Sequence, residues 1–551
     1  MRRSGLSLVW AVFFLFGCGQ NEERTQSGLA TLDENPPEPP VVMETPVPTP
    51  TPTPTPTPVP PAELINITDD SVILNPYGAA PLSAMAIFST IVPGKIKIIV
   101  LGKHGPLSNV EHEFHDLGIV HEVPIFGLYA DHENSVDIIL LDYLGNELAR
   151  TTVKINTGPL PANMPTSMTV DVRQDAKMAT GFNLMSYHGT GIPKVPIIVD
   201  NDGEIRWLYD FASHPVLRGL GYDVGLERLK NGNFYFGDVS TDKIHETDMF
   251  GQLVNSWDLA GHIFHHNVQE KPDGNLLVTT SKIGSTHLNG TPTVEDFVIE
   301  IDRQTGAILY EWDLKQSLDE NRVALRNTLA NNPIDWFHDN AVIYDGSDNT
   351  IIVSGRTQGL VKLSYDNEVK WILGAHKGWG TNRRGEDLNP FLLTPLDANG
   401  IAITDPLVLN GDANHPDFEW NWFQHAPLNK PDGNIILFDN GATRNFNPAA
   451  PERYSRAVEY RIDPEAMTVQ QIWAYGKERG IETFSSIVSD VDFLSNGNVL
   501  FCPGFSVLNT TGSGGKIVEI DYLTKEVVFQ MSVSTANIRA FHRAERLSLY
   551  P

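Results

Sequence analysis

The sequence predicts an all-β protein: a six-bladed β-propeller preceded by a small N-terminal β-sandwich. Three observations carry this reading. A short phrase ending in a Gly-centred turn recurs at Asn231-Gly232-Asn233, Asp273-Gly274-Asn275, Asp345-Gly346-Ser347, Asp432-Gly433-Asn434 and Asn496-Gly497-Asn498. Six outer-strand phrases, most carrying a tryptophan, follow one another from Gly203-Glu-Ile-Arg-Trp to Glu526-Val-Val-Phe-Gln-Met. Ahead of them lies a run of short alternating strands. Repeats of this kind cannot bury their own faces, and closing them into a ring of sheets does so.

In chain order, residues 1–18 read as a lipoprotein-type export signal. Arg2 and Arg3 precede an apolar run, Leu6 to Phe16, that is too short to span a bilayer. Leu15-Phe16-Gly17-Cys18 resembles a bacterial lipobox, in which Cys18 is lipidated, and Phe16 is bulkier than that pattern usually has. Only Cys502 then remains, so no intramolecular disulfide is expected. Residues 19–64 read as a disordered tether. Thirteen of the 38 prolines lie between Pro36 and Pro61, a composition that favours extended polyproline II.

Residues 65–163 are expected to form the sandwich, with strands Ser71–Leu74, Met85–Ile91, Ile96–Leu101, Glu122–Tyr129, Val136–Asp142 and Glu147–Lys154. Gly145-Asn146 joins the last two as a hairpin. Residues 164–551 carry the propeller, with a first blade near 168–210. Successive Gly turns are 42, 72, 87 and 64 residues apart, so some blades carry insertions. Ser317–Ala330 opens with a capping-box pattern and predicts a helix. His376–Trp422, rich in Gly, Asn, Pro and Trp, reads as a lid-like loop.

Composition excludes some partners. With 40 Lys+Arg against 68 Asp+Glu, the formal net charge is −28, a field that repels nucleic acid and anionic lipid. An anionic substrate needs a local cationic site.

Such a site is legible in the repeats. Phe264-His265-His266-Asn267, Phe337-His338-Asp339-Asn340 and Phe423-Gln424-His425-Ala426 each place a histidine eight residues before the turn glycine. Val224 and Ser489 take that slot in two other units. If the strand before the turn is the innermost one, the three imidazoles converge on the axis. Asn340, two residues past His338, shares its face. Hairpin pairing about Ser347 sets Arg356 opposite His338, since 338 + 356 = 2 × 347. Alternation sends His265 to the other face.

Three imidazoles suit zinc, but a guanidinium one strand away repels a divalent ion. Arginine with convergent imidazoles and a carboxamide suits a tetrahedral oxyanion such as a sulfuryl or phosphoryl group. A structural role, with the histidines satisfying propeller backbone groups, is the competing reading. No Gly-x-x-x-x-Gly-Lys loop is present, and no cofactor or metal is expected.

Taken together, Phe-His-His-Asn with its Pro-Asp-Gly-Asn turn, Asp-Trp-Phe-His-Asp-Asn, the Ser-Gly-Arg strand and Phe-Gln-His-Ala-Pro resemble the bacterial aryl-sulfate sulfotransferases. Tyr454-Ser-Arg-Ala-Val-Glu-Tyr460 and the preceding sandwich are similar to that family too. The resemblance implies a periplasmic, often homodimeric enzyme with a six-bladed propeller. It implies transfer of a sulfuryl group from an aryl sulfate donor to a phenolic acceptor, by a ping-pong route through a sulfated histidine. Carried over by residue, it makes His425 the nucleophile, His266, His338 and Arg356 the sulfuryl-binding groups, and Asn340 a supporting substrate-binding residue. Either His266 or His338 is the proton carrier, and the Ser489 hydroxyl is a candidate for assisting binding. Some relatives carry a disulfide near the site, for which this chain lacks the cysteines. An aryl sulfate hydrolase and a non-catalytic anion- or glycan-binding propeller are the alternatives. Cys18 implies a lipid anchor facing the periplasm, on the outer membrane since Gly19 gives no inner-membrane retention signal, with the inner membrane as the alternative.

Overall fold

The computed structural model describes residues 63–221, 226–238, 241–322, 334–447 and 452–551. The leader, the proline-rich tether up to residue 62 and Val224 lie outside the described residues.

The N-terminal domain keeps every predicted strand, but two of them merge. Met85–Ile91 and Ile96–Leu101 are parts of one strand, Ser83–Val100, whose register with Val110–Phe126 shifts on both sides of Gly94. A Cβ on Gly94 would lie 2.4 Å from the Leu140 side chain and 2.6 Å from the Leu141 carbonyl. Glycine is thus required where the long strand bends against Glu133–Leu141. Alternation buries Ala84, Ala86, Phe88, Ile96, Ile98 and Val100 against Val123, Ile125, Ile138 and Leu140.

Six further sheets follow as propeller blades, and the innermost strands of the third, fourth, fifth, sixth and first blades touch one another in succession. Four innermost strands come from the Gly-turn units as expected: His262–Glu270, Asp339–Asp345, His425–Asn429 and Asp490–Phe493, with the two-residue Glu227–Arg228 as a fifth. The sixth comes from the end of the chain. Phe541–Leu547 pairs with Phe182–Tyr187 and completes the first blade. Ser167–Arg173, expected in that first blade, instead pairs with Val527–Thr535 on the outside of the last. Ring closure is therefore a two-ended exchange between first and last blades, which ties both termini of the propeller into sheets.

The outer-strand tryptophans explain their own recurrence. Trp207, Trp257, Trp312 and Trp473 donate their indole N–H groups to Met249, Arg303, Ser364 and Tyr522 carbonyls at 2.8–2.9 Å. Each acceptor belongs to the following blade, so burying the ring and satisfying its polar atom fastens neighbours together. The sandwich is fixed to the first blade in a similar way. Fully buried Arg206 donates to the Gly127 and Ser108 carbonyls, Tyr129 Oη and Asp200 Oδ2.

Both large insertions differ from expectation. Among the described residues of the first, the helical turn is Leu314–Ser317, capped by Asp313 rather than by Ser317, and 318–322 are not helical. Ser317 Oγ donates instead to the Asn367 carbonyl at 2.7 Å, which removes it from the capping role. Residues 323–333 lie outside the described residues. The second insertion is folded rather than lid-like. Its Thr394–Leu396 segment pairs in parallel with Thr468–Tyr475, extending the fifth blade outward, while Trp420 and Trp422 are buried within it.

Candidate active site

The histidines in the repeated slot do meet. His266 Nε2 lies 3.0 Å from His338 Nε2. The His266 ring centroid is 4.9 Å from that of His338 and 6.4 Å from that of His425. All three are buried. What turns them inward is a bulge repeated at the same point of the innermost strands. Pairing slips between Phe264 and Val268, between Asp339 and Ala341, and between His425 and Leu428. His266 and His338 have φ of +52° and +60°, and Ala426 has +48°. Left-handed backbone at a side chain with a Cβ costs on the order of 1–2 kcal/mol each, held here by the flanking sheet.

The bulge bears out one sequence expectation and corrects another. Pairs from Asp345↔Thr350 to Ala341↔Ser354 sum to 695, and only the slip at Asn340 brings Asp339 opposite Gly355. Arg356 is then the neighbour of His338, its N–H donating to the His338 carbonyl at 3.0 Å, as the hairpin arithmetic anticipates. His265, assigned to the opposite face, instead lies against His266 with ring centroids 3.8 Å apart. Its Nε2 is 2.5 Å from Glu295 Oε1, because the left-handed His266 breaks strand alternation.

His425 is the most informative residue. Its Nδ1 is 2.7 Å from Asn440 Oδ1 and 3.0 Å from the Phe423 carbonyl. Asn440 is itself oriented, since its Nδ2 donates to the Ser485 and Val488 carbonyls at 2.8 and 2.9 Å. Both partners of Nδ1 are acceptors, so Nδ1 carries the hydrogen and Nε2 presents a lone pair. That Nε2 is buried with no hydrogen-bond partner among the described residues. Burial, then the Arg356 guanidinium, push the imidazole down to about pKa 3, which keeps it neutral.

His338 is the opposite case. Its Nδ1 contacts Asp335 Oδ2 at 2.8 Å and also Glu295 Oε2. Burial and Arg356 favour the neutral ring, yet Glu295 and Asp335 together raise it above the ordinary histidine value. Burial alone would raise the Glu295 carboxyl, but His265 and His338 hold it well below its usual range. His266 is pushed well below its ordinary value by burial and by the surrounding imidazoles. The pair is thus polarised: a proton-rich His338 held by carboxylates, and a proton-poor His266 at 3.0 Å.

Arg356 Nη2 lies 3.8 Å from Asp335 Oδ2. Asn340 Nδ2 donates to the Gln424 carbonyl at 2.7 Å, bracing the backbone just before His425. Ser489 is placed otherwise. Its hydroxyl donates to Ser485 Oγ at 2.8 Å and accepts the Gly504 N–H at 3.0 Å, contacts that hold its own loop.

Sequence reading missed four contributors. Glu295 comes from a loop in the third blade, and Asn440 follows the strand beside His425. Asp335 stood within the quoted Asp-Trp-Phe-His phrase. His542 is the fourth imidazole, its ring centroid 5.1 Å from His266 and 6.2 Å from His425. Phe541-His542 repeats the Phe-His signature, and the register again slips between Phe541 and Ala544. No Gly turn follows it to flag the unit.

Two groupings bring metal-ligand atoms close: His265, His266 and Glu295, and Glu295, Asp335 and His338. In each, imidazole nitrogen already faces carboxylate at hydrogen-bond distance, and Arg356 adds positive charge beside Asp335. That donor set is matched to protons rather than to a divalent ion.

Residues 168–542 match the family model described as arylsulfotransferase, and residues 71–158 match the arylsulfotransferase Ig-like domain. The chain is 30% identical to the arylsulfate sulfotransferase AssT of Escherichia coli O6:H1, over 84% of this chain and 90% of that protein. It is 29% identical to the arylsulfate sulfotransferase AssT of Lelliottia amnigena, over the same shares.

Proposed function

The chain belongs to the arylsulfotransferase family, and from that premise we propose that it moves a sulfuryl group between phenols through a sulfated His425. The observation that carries this reading is the His425 ring, with Nδ1 committed to Asn440 and Phe423 and a buried lone pair on Nε2.

In the donor half-reaction the Nε2 lone pair forms an N–S bond as the S–O bond to the donor phenol breaks. The electron pair leaves on the phenol oxygen. Arg356, beside His338, stabilises the sulfuryl oxygens as charge spreads over them. The departing oxygen takes a proton from the His338–His266 pair, in which the His338 imidazolium is replenished against Asp335 and Glu295. In the return half-reaction the acceptor hydroxyl gives its proton to the same pair. Its oxygen attacks sulfur, and the N–S electron pair returns to Nε2. Splitting one displacement into two covalent steps is the general advantage of such a nucleophile. As part of the same proposal, the lipobox-like leader anchors the enzyme facing the periplasm.

The test is turnover of 4-nitrophenyl sulfate with and without phenol. Nitrophenol release that depends on phenol, sulfation of phenol, and parallel double-reciprocal lines are expected. Equal release without acceptor makes the protein a hydrolase, and intersecting lines remove the covalent intermediate.

The polarised pair predicts a pH profile. His338 must be protonated to serve a poor leaving group, so the rate falls as pH rises through its raised pKa. Asp335→Asn removes one of the groups that raise it, so the alkaline limb moves to lower pH. The acid limb, set by His425 near pKa 3, stays in place. An alkaline limb unmoved by Asp335→Asn assigns the proton elsewhere.

A further inference from the structure

His542 has no part in either half-reaction as drawn, although its ring is buried like those of His266, His338 and His425. Its place follows from the chain around it. Phe541-His542 opens the strand Phe541–Leu547 that completes the first blade, and pairing slips just after it, between Phe541 and Ala544. Phe541 fixes the point of entry. A Cβ on Gly515 would lie 2.8 Å from Phe541 Cε1, and one on Gly504 2.9 Å from Phe541 Cδ2. Two glycines of the sixth blade therefore make room for the ring. The Ala540 N–H, donated to the Gly504 carbonyl at 2.9 Å, holds the chain there.

One peptide group ties His542 to His425. Asn440, which meets His425 Nδ1 at 2.7 Å, donates its own Nδ2 to the Val488 carbonyl at 2.9 Å. From the other side of the Val488–Ser489 peptide, the Ser489 N–H donates to the His542 carbonyl at 3.0 Å. The C=O and N–H of a trans peptide point in opposite directions, so this rigid unit stands between the two histidine anchors and sets their spacing. Val488 and Ser489 have φ of +51° and +87°. Left-handed backbone at a β-branched residue persists only where the surroundings impose it. The sixth blade, which has Ser489 in the histidine slot, thus contributes backbone where other blades contribute a side chain.

The result is a triangle of imidazoles. Ring centroids are 5.1 Å apart for His266 and His542, 6.2 Å for His425 and His542, and 6.4 Å for His266 and His425. An oxygen hydrogen-bonded to a ring nitrogen sits about 4 Å from the ring centroid, so one oxygen can meet all three rings. Burial, then the Arg543 guanidinium, push His542 well below the ordinary histidine value. The ring is therefore neutral and carries one N–H. Its Nδ1 is buried with no hydrogen-bond partner among the described residues. Buried polar atoms are rarely left unmatched, and an oxygen in the triangle supplies the missing partner.

We propose that His542 is a further catalytic residue of the transfer, hydrogen-bonding an oxygen of the sulfuryl group held between His425, His266 and itself. The proposal rests on the sulfotransferase reading of His425. His542→Phe keeps a flat ring and removes both nitrogens, whereas His542→Gln keeps a donor and an acceptor. His542→Leu stands in should the larger ring prevent folding, and thermal midpoints confirm the fold of each variant. The quantity measured is kcat/KM for the sulfate donor, which reads the first half-reaction alone, with 2-naphthol as acceptor. His542→Phe should lower it about 100-fold, the loss of one preorganised contact to developing charge. His542→Gln should recover about 10-fold of that loss, the worth of a restored hydrogen bond. The losses should be alike for 4-nitrophenyl sulfate and for phenyl sulfate, since both present the same sulfuryl oxygens. A His542→Phe value within about 3-fold of wild type, or equal losses in the two variants, overturns the proposal. So does a loss that grows with the poorer leaving group, which makes His542 a proton donor instead. Wild-type protein that transfers nothing overturns the sulfotransferase reading itself, and the proposal with it.

Discussion

His425→Ala protein should lose aryl-sulfate transfer by at least about 1,000-fold while remaining folded. The expectation follows from the proposed covalent step: without Nε2 no N–S bond forms, and what remains is oxyanion stabilisation acting on a direct displacement. Water or the acceptor phenol would have to attack within a buried site where neither is positioned. The substitution also leaves Asn440 Oδ1 without its donor, which costs about 1–3 kcal/mol for a buried acceptor, so a lowered but cooperative thermal transition should accompany the kinetic loss. Stopped-assay product quantification on the purified folded domains reads the effect. Transfer within 10-fold of wild type, with phenol sulfated as before, removes His425 from the chemistry.

Arg356→Gln should lower kcat by about 100- to 1,000-fold, the range for removing a preorganised donor to developing negative charge. The guanidinium is buried beside Asp335 and is the one permanently charged cation among the residues assigned to grip the sulfuryl group. Glutamine keeps a hydrogen-bond donor and discards the charge, so the size of the loss separates electrostatics from positioning. Arg356→Lys should recover only part of it, since an ammonium lacks the planar fork that meets two oxygens at once. A second consequence has a defined sign. Arg356 lowers both His425 and His338, so its removal raises both. The alkaline limb of the rate profile should then move to higher pH, the reverse of the Asp335→Asn shift. Opposite movements in the two variants are a signature that a merely structural Arg356 does not produce. An Arg356→Gln profile that keeps wild-type kcat and pH limits discards the clamp.

The residues differ in how openly the sequence displayed them. His266, His338 and His425 were legible because each stands eight residues before a turn glycine, and the same register in successive blades brings the same point to the axis. Arg356 was legible through hairpin pairing, although the pairing works by way of a bulge that alternation does not reveal. Hidden by that same bulge was His265, whose ring lies against His266 rather than on the far face. Glu295 and Asn440 carry no repeat signal, since each enters from a loop or strand end particular to its blade. His542 does carry the Phe-His signature, but at a chain end where no turn follows. Ser489 occupied the right slot and yet spends its hydroxyl on Ser485 and Gly504.

The all-β class, the six repeats, the acidic surface and the identity of the groups able to hold an oxyanion were written in the amino-acid order alone. These are properties of local spacing and composition, and strand period and turn chemistry express them wherever the chain goes. Folding in three dimensions set which nitrogen of His425 is free, in which directions burial and neighbouring charge push His266 and His338, and that His542 joins them. Those outcomes depend on groups distant in the chain: Asn440 fixing a tautomer, Glu295 and Asp335 outweighing burial at one ring, and the last strand closing onto the first blade. Protonation and convergence are set by what lies within a few ångströms, and sequence separation carries no measure of that distance.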